Sequence, residues 1–325
     1  MITCYGHNDR DHVQILQESL YRRNMMPGAQ HDDRLSTRKL GRNWGGFIYE
    51  SSSKKLLVLI DTDDGSGGTP ADCKISWSTF NDILRSHRPD DYIVLKSQVN
   101  VDPEYNQFYP FKNDVHSIGI FSNDPERVFS VKRSLPSVSK DIDVFFSGGR
   151  KFDHLNPYAW PKNRDPKKWW PGASVRGYKK LQEIKDRHPS INIQIFDGTL
   201  EASRFYELIN RSKICIDLPG IGLSSRKFYE YMVLGKCVIS LQQQHTPWEC
   251  VPNVHYASLG YDLDFSHLEE KIVELHNNKQ VVAEIESSVD KISSQLTLGS
   301  MIVRIENIIN EKIESMKSQS LFLNM

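Results

Sequence analysis

The run from Ile214 to Leu241 constrains this chain more than any other. An apolar stretch, Ile214-Cys-Ile-Asp-Leu218, ends at Pro219-Gly220, and Gly222 follows in a short loop. Ser224 and Ser225 then precede a helically spaced segment that Gly235 terminates, and a second apolar run, Cys237 to Leu241, begins at once. Serine supplies an N-cap and glycine a left-handed C-cap, so the helix has a start and a stop written beside it. Apolar runs without polar alternation are buried on both faces, which is the habit of parallel strands under crossover helices.

The same unit recurs along the chain. Ile2–Tyr5, Gly46–Glu50, Leu56–Ile60, Asp91–Leu95 and Val115–Phe121 read as strands, with helical spacing over His12–Arg23 and Trp77–Arg85. After a polar stretch, Ser122–Lys140, the pattern restarts with Ile142–Ser147 and the turn Gly148-Gly149. A Pro-, Trp- and Lys-dense insertion at Asn156–Gly172 is expected to be a surface loop. Helices follow at Val175–Arg187, Ala202–Arg211 and Ser225–Leu234, alternating with strands at Ile191–Phe196, Lys213–Leu218 and Cys237–Leu241. The expected class is α/β, with two Rossmann-like domains facing a cleft, residues 1–135 and 136–325. Met301–Ser318 is expected to be an amphipathic helix packing back across both.

Composition narrows the function. Lys+Arg and Asp+Glu are equal at 41 each, so no basic excess is available for nucleic-acid phosphates, and no nucleic-acid partner is expected. The 5 cysteines are scattered without a CxxC pair, which argues against a disulfide framework or a zinc site. No apolar run approaches the roughly 18 residues of a membrane span, and no signal peptide is evident. A soluble, cytoplasmic chain is the expectation.

The 214–241 segment also suggests a chemistry. A glycine loop before a helix N-terminus presents unpaired N–H groups and the positive end of the helix dipole, which suits a phosphate. Arg226 in the first turn adds a guanidinium fork, and Glu230, one turn on, can accept hydrogen bonds from two ribose hydroxyls. Taken alone, Arg226 and Glu230 are equally an i, i+4 surface pair worth about 0.2–0.5 kcal/mol.

The spacing Pro-Gly-x-Gly-x-x-Ser-Arg-x-x-x-Glu followed by Leu-Gly-Lys-Cys-Val-Ile resembles the donor segment of exostosin-type glycosyltransferases of the two-Rossmann (GT-B) architecture. The matching positions are Pro219, Gly220, Gly222, Ser225, Arg226, Glu230 and Gly235. Upstream, Asp143-Val-Phe-Phe-Ser-Gly-Gly149 with Arg150 is similar to the strand and turn that open such donor domains, and Arg176 stands where they often carry a phosphate-binding arginine. The likeness spans residues 142–250. It implies transfer of a sugar from a nucleotide-diphosphate donor to a glycan hydroxyl. Retaining members commonly carry a second glutamate eight positions before the one matched by Glu230, where this chain has Gly222. The resemblance therefore implies the inverting branch, with no obligatory metal or cofactor.

An inverting enzyme needs a base on a strand-end loop of the first domain. His7 and Asp9 follow the first strand, and Asp61, Asp63 and Asp64 follow the apolar run Leu56–Ile60. Lys96, ending the strand Asp91–Leu95, is placed to support one of these carboxylates. Helix-capping by Asp9 and a solvated acidic turn at 61–64 are the plain alternatives. Asp61-Thr-Asp63 also fits the nucleophile motif of haloacid-dehalogenase-type phosphatases, and a non-catalytic nucleotide- or glycan-binding homologue is a further alternative.

Overall fold

The computed structural model describes residues 25–30, 44–51, 54–61, 84–96, 115–118, 125–148, 170–198, 200–218, 225–242 and 250–322, with isolated positions at 16, 19, 20 and 82. They fall in two compact units, one drawn from Asp124–Thr297 and the other from His7–Asn123 with Leu298–Met325.

The first of these in chain order is built on a mixed sheet. Its strands are β1 (Ala29–Gln30), β2 (Trp44–Ser51), β3 (Lys54–Asp61), β4 (Asp91–Lys96) and β5 (Val115–Ser117), side by side in that order. β3, β4 and β5 run parallel, whereas β1–β2 and β2–β3 are antiparallel. This departs from the mostly parallel sheet expected. Only two residues separate Ser51 from Lys54, too few for a crossover, so the two strands must form a hairpin. Leu56 to Ile60 are all fully buried. β5 is shorter than the expected 115–121 strand, and residues 119–124 lie outside the described set.

The other unit contains α1 (Pro125–Ser134), β6 (Ile142–Gly148), α2 (Trp170–Arg187), β7 (Ile193–Asp197), α3 (Ala202–Asn210), β8 (Ser212–Ile216), α4 (Arg226–Val233), β9 (Cys237–Ser240), β10 (Ala257–Ser258), α5 (Leu268–Asn277) and α6 (Lys279–Ser293). Its sheet is wholly parallel, in the order β10-β9-β8-β6-β7. The last helix, α7 (Leu298–Phe322), returns to β3 and β4, where Lys312 pairs with Asp91 at 2.6 Å. Among the described residues no helix is long and apolar enough to cross a membrane.

The polar stretch at 122–140, expected to carry the domain boundary, holds a helix, α1. Pro125 suits the first helical position, Glu126 the first turn, and Lys132 and Arg133 the last, in accord with the helix dipole. Val128 is fully buried, and Lys132 binds Asp290 of α6 at 2.6 Å. The expected surface loop at 156–172 is corrected at its end, because Trp170–Gly172 already belong to α2.

Two glycines shape the region between β8 and β9. Gly177 of α2 lies against the end of β8, where an added Cβ would come within 2.8 Å of Leu218 Cδ2 and 3.1 Å of Phe265 Cε2. Gly235 closes α4 with φ of +69°, its N–H donating to Met232 O and the Lys236 N–H to Tyr231 O, each at 3.0 Å. That paired arrangement needs a left-handed residue. Gly235→Ala should therefore lower stability by about 1–2 kcal/mol, read as a lower urea midpoint at unchanged slope. An unaltered midpoint would show that the turn relaxes at no cost.

Candidate functional site

In the parallel sheet the chain leaves β6 towards β7 on one side, and β8 leads to β9 on the other. The neighbouring carboxyl ends of β6 and β8 are thus the topological switch point, where open α/β sheets hold their ligands. The chain brings Ser147 and Gly148 there from β6, Asp217 and Leu218 from just after β8, and the N-terminus of α4.

The start of α4 is fixed by a small polar network. Ser225 is extended (φ −115°, ψ 160°), and its Oγ accepts from the N–H groups of Lys227 (3.1 Å) and Phe228 (3.2 Å). The same hydroxyl donates to Asp217 Oδ1, while Ser240 of β9 donates to Asp217 Oδ2 at 3.2 Å. Asp217 is 1% exposed. Burial pushes its carboxyl up to about 6, against the pull of the Ser225 hydroxyl, the Lys227 charge and the Ser240 hydroxyl. One buried carboxylate thus ties β8, β9 and the cap of α4 together.

This changes the role expected for Ser225. Its proton is given to Asp217 and its lone pairs to two amides of the first helical turn, so it acts by holding the helix start. The cap also occupies those amides of Lys227 and Phe228, so they do not face a ligand.

Lys227 has its Nζ turned to the sheet, donating to Ser147 O and lying 5.4 Å from the centre of the Phe146 ring. It is half-buried. Burial lowers its ammonium's pKa, opposed by the charges of Asp217 and Glu230 and aided by that of Arg226. Gly148 leaves the room this needs, since a Cβ there would lie 2.7 Å from Phe146 Cζ and 3.2 Å from Lys227 Nζ. Arg226 is exposed and Glu230 half-buried on the same helix. Neither Asp217 nor Lys227 was singled out from sequence. The available signals were a carboxylate ending an apolar strand and two successive cations at the positive end of a helix dipole.

Arg176 is engaged with the turn before α5. Its Nε donates to Leu263 O at 3.0 Å and lies 3.3 Å from Asp264 Oδ1.

In the N-terminal unit, the parallel register sets Asp61 opposite Lys96, and Lys96 opposite Ser117, at the carboxyl ends of β3, β4 and β5. Lys96 is 2% exposed. His7, Asp9, Asp63, Asp64, Gly149, Arg150, Pro219, Gly220 and Gly222 lie outside the described residues. Among the described residues no group of three or more His, Cys, Asp or Glu side chains is placed to hold a metal.

No family model matches the chain, and no curated protein matches it. Among solved structures the chain is similar to TarM of S. aureus (11% identity, TM-score 0.41), covering 77% of this chain and 50% of TarM. A glycosyltransferase from Rickettsia africae is similar at 13% identity and a TM-score of 0.40, covering 75% of this chain and 67% of that one. HepE of Anabaena, in complex with UDP-glucose, is similar at 12% identity and a TM-score of 0.41, covering 79% and 72% of the two chains. The chain thus spans half the length of TarM.

Proposed function

We propose that this chain is a glycosyltransferase that takes a nucleotide-diphosphate sugar as donor and passes the sugar to a glycan hydroxyl. The observation that carries the reading is the helix α4. It starts at the switch point of a parallel sheet, is held there by Ser225 and Asp217, and bears Arg226, Lys227 and Glu230 within its first five residues. Arg226 at the helix start meets the diphosphate, and Glu230 accepts from the ribose hydroxyls one turn deeper. Ser225 contributes by fixing that helix, and Gly148, Gly149, Arg150, Arg176, Pro219 and Gly220 complete the donor side.

The transfer is inverting and metal-independent in this reading. Gly222 stands where retaining relatives of the resembled family carry a glutamate, and cationic side chains with the helix dipole offset the leaving diphosphate. The base is one of His7, Asp9, Asp61, Asp63 and Asp64. Asp61 has the added support that its partner in the parallel register is the buried Lys96. A cytosolic setting fits the buried free thiols of Cys215, Cys237 and Cys250.

Calorimetry with a panel of UDP- and GDP-sugars tests the donor site. Glu230→Ala should weaken the best binder by about 10- to 100-fold, the worth of charge-assisted hydrogen bonds in a half-buried site. Affinity unchanged across the whole panel would remove Glu230, and with it this assignment of the site. Binding with no sugar release or transfer would instead favour a non-catalytic homologue.

A further inference from the structure

We propose that Lys227 is a diphosphate-gripping cation of this site, and that the Ser147 carbonyl is its resting partner in the absence of donor. The inference rests on the donor-site reading above and adds to it a residue that the exposed Arg226 overshadows.

Lys227 is unfavourable where it stands on two independent counts. A cation in the first turn opposes the helix dipole, and that turn contains no acidic residue to offset it. Half-burial also penalises the charged ammonium. A three-donor ammonium has, among the described residues, a single hydrogen-bond acceptor, Ser147 O. The Phe146 ring face supplies a weaker contact at 5.4 Å. The charge of the buried Asp217 acts favourably on this ammonium, but its two oxygens already take the hydroxyls of Ser225 and Ser240.

Its position explains the arrangement. Ser147 is the penultimate residue of β6, so the ammonium lies at the switch point, beside the carboxyl end of β8. A charge held there acts in a lower effective dielectric than the exposed guanidinium of Arg226, and each unit of ligand charge is felt more strongly. Gly148 keeps this approach open, because any side chain at 148 would press on both Phe146 and Lys227. A dianionic ligand at the strand ends would give the two remaining N–H donors acceptors and complete the neutralisation that the charges of Asp217 and Glu230 begin.

The test compares UDP and GDP with uridine and guanosine, by calorimetry, on wild type, Lys227→Met and Lys227→Arg. Lys227→Met should weaken the diphosphate that binds wild type by about 10- to 100-fold. The matching nucleoside should be unaffected, and Lys227→Arg should recover part of the loss. Since methionine lifts both penalties, the melting temperature should hold or rise. Equal loss for nucleoside and diphosphate would assign Lys227 a merely structural part and overturn the proposal. So would an undiminished diphosphate affinity in Lys227→Met. A wild type that binds no nucleotide diphosphate would overturn the donor reading itself, a distinct result. Should Lys227→Met not fold, acetic anhydride labelling of wild type followed by mass spectrometry gives the same answer. UDP or GDP should protect Lys227 and the nucleoside should not, and equal labelling with and without diphosphate overturns the assignment.

Discussion

Asp217→Asn should make the protein more stable than wild type above neutral pH, by up to about 3 kcal/mol, and should lose that advantage in acid. The carboxyl of Asp217 is pushed from its ordinary 3.8 up to about 6, chiefly because it is buried. Its folded pKa is raised, so its favourable contribution is complete below about pH 3.8, where it is protonated in both states. As pH rises to about 6 the unfolded chain gains a solvated carboxylate that the folded chain resists forming, and stability falls. Above that window the loss is constant. At about 1.4 kcal/mol per pH unit the whole fall is about 3 kcal/mol. Asparagine keeps the shape and stays neutral throughout. Its oxygen can accept from Ser225 while its amide donates to Ser240, so the cap of α4 persists. Urea melts of both proteins from pH 4 to pH 8 isolate the effect, because every other titrating group cancels in the difference. A difference that does not change with pH would show that Asp217 titrates normally. Asp217→Ala separates the second role of the residue. It leaves the hydroxyls of Ser225 and Ser240 without their acceptor and should be less stable than Asp217→Asn by about 1–3 kcal/mol at every pH.

Much of the parallel unit was legible because its strands carry their own boundaries. Ile142–Ser147 and Cys237–Leu241 are apolar runs that end in glycine or begin after it, and β6 and β9 occupy them. Ser225 and Gly235 marked the ends of α4 by local chemistry alone, and both perform those tasks. What escaped the sequence is non-local. Asp217 and Ser225 stand eight positions apart and meet only once α4 packs at the end of β8, and that Asp217 also serves Ser240 depends on β9 lying beside β8. Arg226 and Lys227 are adjacent cations of equal prominence in the text. The turn of about 100° between successive helical residues sends one to solvent and the other to the sheet, and only the packing of α4 decides which. The helix α1 escaped for a different reason. One fully buried residue, Val128, is too thin an apolar stripe to stand out from polar surroundings. The antiparallel run of β2 against β3 follows from the two-residue link between Ser51 and Lys54, a constraint that the apolar pattern of the strands on either side does not carry.

Ile309→Asp should unfold the N-terminal unit, the largest effect expected of any single substitution here. α7 is drawn into that unit although it closes the described chain, and it lies on β3 and β4. Met301, Ile305, Ile309 and Ile313 recur at intervals of four, the spacing of one helical face, and all are at most 3% exposed. The sheet under them is apolar from Leu56 to Ile60 and from Ile93 to Leu95, all fully buried. A carboxylate at 309, where exposure is 0%, forfeits about 1.5–3 kcal/mol of burial and adds several kcal/mol of charge desolvation. Together these approach the whole 5–15 kcal/mol that holds a domain folded. Hydrogen exchange read by mass spectrometry localises the outcome. Peptides from β3 and β4 should lose their protection. Peptides from β6, β8 and β9 should retain more of theirs, because α7 is not part of that unit's sheet or of the helices that follow its strands. Equal loss in both sets would show that the two units fold as one cooperative block, and protection kept in both would show that α7 is dispensable to the sheet it covers.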